Sequence, residues 1–279
     1  MKNLKLFFLL MLASCASKET ESLKVMTYNI RLDVASDGEN AWAKRKDFLI
    51  SQINFYEPTV FGVQEARPNQ MLDINSNLTN YSFIGQGRDG KNIGEFSAIF
   101  YDSTKVSFTN RNTFWLSETP EKISKGWDAA YPRICTYGLM SVLNSDEKIW
   151  VFNTHLDHKG NEAQLNGIQL IEAEIKKVNK KKYPVILMGD FNVTPESELI
   201  SNLKINFNDA KELAGANAFG QQGTFNGFKF QDSIKNRIDY IFISKKANIN
   251  LKKYGVLSDS KDLKYPSDHF PVFVEFQKK

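Results

Sequence analysis

The sequence predicts an α/β protein in which mixed β-sheets are flanked by helices. Strand-like segments outnumber helical ones, and several neighbouring strands lie close enough in sequence to form hairpins. A helix of strong amphipathic pattern at 162–178 supplies a covering layer. These features argue against a purely parallel, doubly wound sheet, which needs a long crossover between successive strands. The chain has 279 residues, 42% hydrophobic and 24% charged. That supports a large core and excludes a disordered, collagen-like or disulfide-stapled protein.

The elements follow in order. Residues 23–30 alternate apolar and polar side chains, as a half-buried strand does. Trp42, Phe48, Leu49 and Ile53 recur at helical spacing until Pro58 forbids continuation. A short β-branched strand at 59–63 precedes a helix at 71–78 and a strand at 81–85. Segments 96–101, 106–115, 134–143 and 149–155 read as strands with turn residues between them. After the 162–178 helix comes a buried strand at 185–188, running on into Gly189-Asp190-Phe191-Asn192. Strands at 238–244, 249–256 and 272–276 complete the series. No repeat, low-complexity tract or long linker follows Ser22, so residues 23–279 read as one domain.

The N-terminus reads as an address. Lys2 and Lys5 precede the short apolar run from Leu6 to Leu12, far short of the roughly 18 apolar residues needed to span a bilayer. Leu12-Ala13-Ser14-Cys15 resembles the bacterial lipobox. The expectation is a signal peptide at 1–14, lipidation of Cys15, and a tether over 15–22 reaching roughly 25 Å. The protein is thus expected in the cell envelope, held to a membrane by its lipid anchor. The formal net charge is +4 and falls to about +2 once the two leader lysines are removed. Such a balance does not by itself declare a nucleic-acid partner. Cys135 would be the one remaining thiol, so no internal disulfide forms.

Six segments place Asn, Glu, Asp or His directly after an apolar strand. They are Tyr28-Asn29, Gln64-Glu65, Asn153-Thr154-His155, Gly189-Asp190-Phe191-Asn192, Ile238-Asp239-Tyr240 and Ser267-Asp268-His269. Strand ends gather at sheet edges, so such residues converge although far apart in the chain. Singly, each has a plain explanation: Glu65 before Ala66-Arg67-Pro68 would cap a helix, and Gly-Asp-Phe-Asn suits a turn.

Together and in this order, they resemble the endonuclease/exonuclease/phosphatase superfamily, whose members include DNase I, abasic-site endonucleases, neutral sphingomyelinases and inositol-polyphosphate 5-phosphatases. The resemblance covers essentially all of 23–276. It implies a DNase I-like four-layer α/β sandwich of two packed mixed sheets, and metal-assisted hydrolysis of phosphoesters. It implies Mg²⁺, with Mn²⁺ as an alternative, on Asn29 and Glu65 with Asp268 as a further ligand. Asp190 and Asn192 match the pair that orients water and phosphate, His155 the phosphate-contacting histidine, and His269 the catalytic histidine. Asp239 matches the acid that orients His269. Glu95 aligns with an acid supporting His155, and Arg133 with a phosphate-contacting arginine.

The residues agree with that chemistry. Carboxylate and amide oxygens suit a hard divalent ion, and with a single thiol left a soft metal site is excluded. A carboxylate beside a histidine fixes its tautomer and raises its basicity. No Walker-type phosphate loop occurs. Lysines 176, 177, 180, 181 and 182 suit the dipole of a helix end better than a nucleic-acid patch. Trp115 reads equally as a cleft wall or a strand end. Asp157 and His158 read as supports for the site or as a polar turn. The stretch from Arg88 to Glu95 reads as a substrate-side loop or a plain hairpin. The expected activity is hydrolysis of a small or membrane-proximal phosphoester. The alternatives are an extracellular nuclease, with nucleic acid less favoured as partner, and a catalytically silent binding lipoprotein. No obligate protein partner is evident.

Overall fold

The structure is a computed structural model and describes residues 22–278. The leader, Cys15 and nearly all of the tether lie outside the described residues. Among the described residues, no helix is long and apolar enough to cross a membrane.

Two mixed sheets pack face to face with helices outside each, as the resemblance implies. The first contains β1 (Leu23–Asn29), β2 (Val60–Gln64), β3 (Tyr81–Ile84), β4 (Ile99–Asp102), β10 (Ala218–Gly220), β12 (Ile249–Val256) and β13 (Val272–Lys278). Their order is β10-β12-β13-β1-β2-β4-β3. The second contains β5 (Val106–Trp115), β6 (Ile134–Val142), β7 (Lys148–His155), β8 (Val185–Asp190), β9 (Phe207–Asp209) and β11 (Asp239–Ser244), in the order β5-β6-β7-β8-β11-β9. Helices α1 (Trp42–Tyr56) and α2 (Pro68–Asn77) cover the first sheet, while α3 (Asn161–Val178) and α4 (Glu198–Leu203) cover the second. A short α5 (Ala210–Ala214) follows β9.

Side chains alternate across a strand, so each central strand serves two cores. In β1, Val25 faces the other sheet and Met26 and Tyr28 face the helices. In β8, Ile186 and Met188 face inward and Val185 and Leu187 outward. Fully burying each such side chain contributes about 1.5–3 kcal/mol, so a one-residue slip is strongly disfavoured. This corrects the half-buried reading of β1. Its polar residues Thr27 and Asn29 are fully buried between the sheets rather than facing water.

The same parity places the chemistry. The inward series of β1 (23, 25, 27, 29), β7 (149, 151, 153, 155) and β8 (186, 188, 190) begins apolar and ends polar. The inter-sheet core therefore turns polar at one end, with Gln64 and Asn153 at the transition. Asn153 donates to the carbonyls of Val63 (3.0 Å) and Ala98 (2.9 Å) on the opposite sheet, and its Oδ1 accepts from Gln64 Nε2 (2.6 Å). Gly62 is required here, because an added Cβ would lie 2.5 Å from the Asn153 side chain.

Two differences from the sequence expectation have local causes. The strand expected from Phe96 begins at Ile99, because Phe96 forms isolated bridges with Ala66 and Gly87 instead. Between Asn192 and Ile238, α4, β9, α5 and β10 are three to six residues each, too short for periodicity to register.

Replacing Asn153 with Ala should cost about 2–4 kcal/mol, since it strands buried polar groups and opens a cavity. A lowered urea midpoint with unchanged slope is the expected reading. A midpoint within error of wild type would show that the bridge is not a stability element.

Candidate active site

Five strand ends and one loop deliver the predicted residues to the polar end of the sandwich. Asn29 ends β1, Glu65 follows β2, His155 ends β7, Asp190 ends β8 and Asp239 begins β11. Register sets them side by side: Asp190 pairs with His155 across one ladder and with Asp239 across the other. Asp268 and His269 come from the loop before β13. Arg31, Glu65 and Asn192 all have left-handed backbones (φ 55°, 62° and 54°), a conformation that costs a non-glycine residue energy and clusters at functional sites. These turns swing the side chains back over the sheet ends.

The hydrogen bonds fix a connected set. Asn29 Nδ2 donates to Glu65 Oε1 (3.0 Å) and Asp190 Oδ2 (2.9 Å), while its Oδ1 accepts from the Arg31 backbone N–H (3.0 Å). That donor orients the amide, so Asn29 offers the carboxylates an NH₂ rather than offering a metal an oxygen. In this arrangement Asn29 holds the two carboxylates in place beside the expected metal position. Glu65 Oε2 accepts from the Leu32 N–H (3.1 Å), and Asp190 Oδ1 from the Asn192 N–H (2.9 Å). Asn192 Nδ2 donates to the Leu156 carbonyl (3.0 Å) and lies 3.0 Å from His155 Nε2. The Leu156 carbonyl can only accept, so the amide nitrogen faces both groups, and His155 Nε2 also lies 3.5 Å from Asp190 Oδ2.

The two histidines are driven apart electrically. Burial holds His155 well below its ordinary pKa, and Arg133 and His269 push the same way. Burial also opposes charge on His269. The Asp239 carboxylate, 2.9 Å from its Nδ1, outweighs that with Asp190 and Asp268 and holds His269 well above the ordinary value. Its Nε2 faces Asp190 Oδ2 at 3.9 Å. Burial and the neighbouring Asp239 raise Asp190. Groups with pKa values pushed apart in one cleft mark acid–base assignments.

The cleft is about 520 Å³ and is lined by Arg31, Arg67, Arg88 and Arg133 together with the acid–histidine set. Arg133 is buried, with its Nε 3.2 Å from Asp157 Oδ2 and its Nη2 3.0 Å from His158 Nδ1. Asp157 also accepts from the Lys159, Gly160 and Ala130 N–H groups, so it anchors a turn and aims Arg133 in one act. Glu95 lines the cleft, but its bond runs to Arg88 Nη1 (2.9 Å). The expected support of His155 by Glu95 is thus replaced by an Arg88 clamp. Trp115 is buried at the end of β5 and its Nε1 donates to the Arg88 carbonyl (2.7 Å), bracing the same loop.

Sequence reasoning missed Arg45, which sits on α1 where a solvated charge is the ordinary reading. It is buried and donates to the carbonyls of Ile30 (2.6 Å), Arg31 (2.7 Å), Asn40 (2.8 Å) and Pro266 (3.0 Å). It ties the loop after β1 to the loop carrying Asp268 and His269. No pattern in the linear sequence signals this.

The donor set fits a hard cation. Glu65, Asp190 and His269 each offer one ligand atom, all within 4.8 Å of one another. A histidine held as imidazolium is a poor ligand, which leaves two carboxylates, one of them buried with its charge disfavoured by Asp239. A divalent ion offsets that cost, and oxygen donors suit Mg²⁺ or Mn²⁺. Asp268 lines the same cleft but stands outside this cluster, 3.9 Å from Arg31 Nε.

Residues 26–269 match the Endonuclease/Exonuclease/phosphatase family, and the chain belongs to it. Members of this family are hydrolases acting on phosphoester bonds. An endonuclease/exonuclease/phosphatase family protein from Bacteroides thetaiotaomicron superposes with a TM-score of 0.87 at 35% identity, covering 94% of this chain and 99% of that one. A mannosyl-6-phosphatase from Bacteroides thetaiotaomicron VPI-5482 gives a TM-score of 0.84 at 36% identity, covering 91% and 99%. An uncharacterized protein of Acanthamoeba polyphaga mimivirus is 28% identical over 257 residues, 85% of this chain and 92% of that protein.

Glu65→Gln removes the ligand charge at nearly constant volume and should abolish phosphoester hydrolysis while leaving the circular dichroism spectrum intact. His269→Ala and His155→Ala should each lower turnover by roughly 10²-fold or more. Wild-type turnover of Glu65→Gln at low Mg²⁺ would remove Glu65 from the site, and near-normal rates for both histidine variants would do the same for the histidines.

Proposed function

We infer that this chain is a divalent-metal-dependent phosphoesterase acting on a small phosphoester, with a hexose phosphate as the first substrate to test. The observation that carries this reading is the single cleft of about 520 Å³ in which four arginines surround the acid–histidine set. That volume suits one small ligand, and convergent guanidinium groups suit a phosphate dianion. Binding a nucleic-acid backbone instead relies on many cations along a track, whereas these arginines alternate with Glu65, Glu95 and Asp268 in one hollow. The similarity to a mannosyl-6-phosphatase supports a sugar phosphate.

The roles follow from the contacts. Asp190, braced by Asn29 and Asn192, holds the attacking water and draws on its proton. Water oxygen adds to phosphorus as the ester P–O bond breaks, and the proton taken up by Asp190 passes through solvent to the leaving oxygen, giving the alcohol and inorganic phosphate. His269, kept charged by Asp239, donates to phosphoryl oxygen. Arg133, aimed by Asp157, holds the phosphate. Glu65 and Asp190 would hold Mg²⁺ or Mn²⁺, which when bound would supply positive charge for the oxygens that become more negative.

The test is turnover of mannose 6-phosphate and glucose 6-phosphate beside nicking of supercoiled plasmid, with and without EDTA. Each is run between about 50 and 200 mM salt, the range where backbone binding weakens most visibly. EDTA-sensitive release of phosphate from the sugar phosphates is expected, with weak plasmid nicking. Fast nicking with a steep salt slope and negligible sugar-phosphate turnover would instead make the protein a nuclease.

Arg133→Lys keeps the charge but loses the fork shared between phosphate and Asp157. It should raise KM for the small phosphoester about tenfold, with a smaller effect on kcat. An unchanged KM would remove Arg133 from phosphate binding.

A further inference from the structure

The end of the sandwich opposite the cleft carries a second organised surface. A groove of about 360 Å³ lies there, lined by Lys176, Lys182, Lys245, Lys246, Tyr183 and Ile205 among others. Lys180 and Lys181 stand exposed on the adjoining turn. Among the described residues, none of these six lysines makes a salt bridge, although Lys177, Lys204 and Lys253 nearby in sequence do. The groove's acid, Glu172, accepts from Asn206 Nδ2 (2.8 Å) and keeps its charge, so four lysines stand against one carboxylate there. Ile205 is 68% exposed among the lysines. Unpaired cations around a protruding apolar side chain are what a surface facing anionic lipid headgroups presents.

The tether joins the domain at this same end. β1 runs from Leu23 toward the cleft at Asn29, so Leu23 lies roughly 20 Å from the chemistry at about 3.3 Å per residue. Leu23 pairs with Phe276. Phe276 lines a second groove with Tyr183, and Tyr183 also lines the lysine groove. The surface therefore continues from the lysines to the point where the tether enters the fold. That second groove brings Asp146 and Glu147 together with Lys148, so the positive excess lies on the side of Lys182 and Lys246.

We propose that the lysine-fringed end of the sandwich docks on the anionic headgroups of the membrane to which Cys15 is anchored, holding the catalytic cleft turned away from the bilayer. The proposal rests on the lipobox reading of Leu12-Ala13-Ser14-Cys15 and not on which phosphoester is cleaved. A seven-residue tether from 16 to 22 reaches roughly 25 Å and keeps this end near the bilayer. Charge complementarity then selects the face. In that orientation the cleft samples soluble phosphoesters and not the headgroups of its own membrane.

The test uses the full chain, produced in a bacterium that acylates lipoproteins and purified from its membranes. It is reconstituted on preformed vesicles of phosphatidylcholine alone or with one part in about three of phosphatidylglycerol, or kept in detergent micelles. Brief acetylation followed by mass spectrometry reads each lysine. Lys176, Lys180, Lys181, Lys182, Lys245 and Lys246 should react about threefold or more slowly on the anionic vesicles than in micelles, while Lys91 and Lys125 on the loops around the cleft keep their rates. A chain carrying K180E, K181E, K182E and K245E should lose that protection at Lys176 and Lys246 yet retain hydrolysis of a soluble phosphoester. Equal rates in vesicles and micelles, or protection of Lys91 and Lys125 instead, would overturn the proposal. So would a mature protein without acyl groups on Cys15, or protection of the lysine face by duplex oligonucleotide but not by vesicles. Loss of activity toward sugar phosphates alone would leave the labelling pattern intact, so the substrate and the orientation fail separately.

Discussion

The buried amide contact between Gln64 and Asn153 joins the two sheets at the level where the core changes from apolar to polar. Gln64 precedes Glu65 by one residue, and Asn153 precedes His155 by two. Fixing one amide against the other therefore fixes the Glu65 carboxylate against a cleft histidine, although they belong to different sheets. A purely apolar contact would tolerate sliding, because hydrophobic burial has no direction. A hydrogen bond of 2.6 Å, backed by two bonds to carbonyls of the facing sheet, does not. The close approach also explains Gly62, where an added Cβ would lie 2.5 Å from the Asn153 side chain.

From that constraint the electrostatics follow. The inward parity of β8 and β11 brings Asp190 beside Asp239, and burial makes two ionised carboxylates there costly. His269 meets Asp239 and Arg133 approaches His155, so positive charge is distributed on both sides of Asp190. Asn29 spans Glu65 and Asp190 with one NH₂ group. The cluster is thus positioned by hydrogen bonds among its own protein groups. Pre-positioned groups of this kind act without reorganising when charge shifts during reaction.

The sandwich is polarised along its strands. At one end the inner series terminates in acids and histidines, and at the other the helices and turns terminate in lysines. Strand direction enforces this, since β1, β7 and β8 all run the same way, from the lysine end toward the cleft.

The sequence by itself determined the longer strands, α3, and the identity of the residues that end them, because apolar alternation and terminal polar residues are local signals. The order of Glu65, His155, Asp190, Asn192, Asp239 and His269 along the chain was equally legible, each standing at the edge of an apolar run. Only the tertiary structure decided what each of them faces. Asn29 became a donor because the Arg31 N–H took its oxygen, and Glu95 went to Arg88 rather than to His155. Thr27 on β1 looked solvent-facing and is buried, since a second sheet covers that face. Arg45 on its helix looked solvated and is buried, because four carbonyls from distant loops converge on it. Such outcomes depend on partners hundreds of residues away, as with Arg45 and Pro266, and on backbone turns of left-handed sense at Glu65 and Asn192 that no side-chain pattern announces. Local periodicity encodes which face a residue occupies; packing between sheets decides what waits on that face.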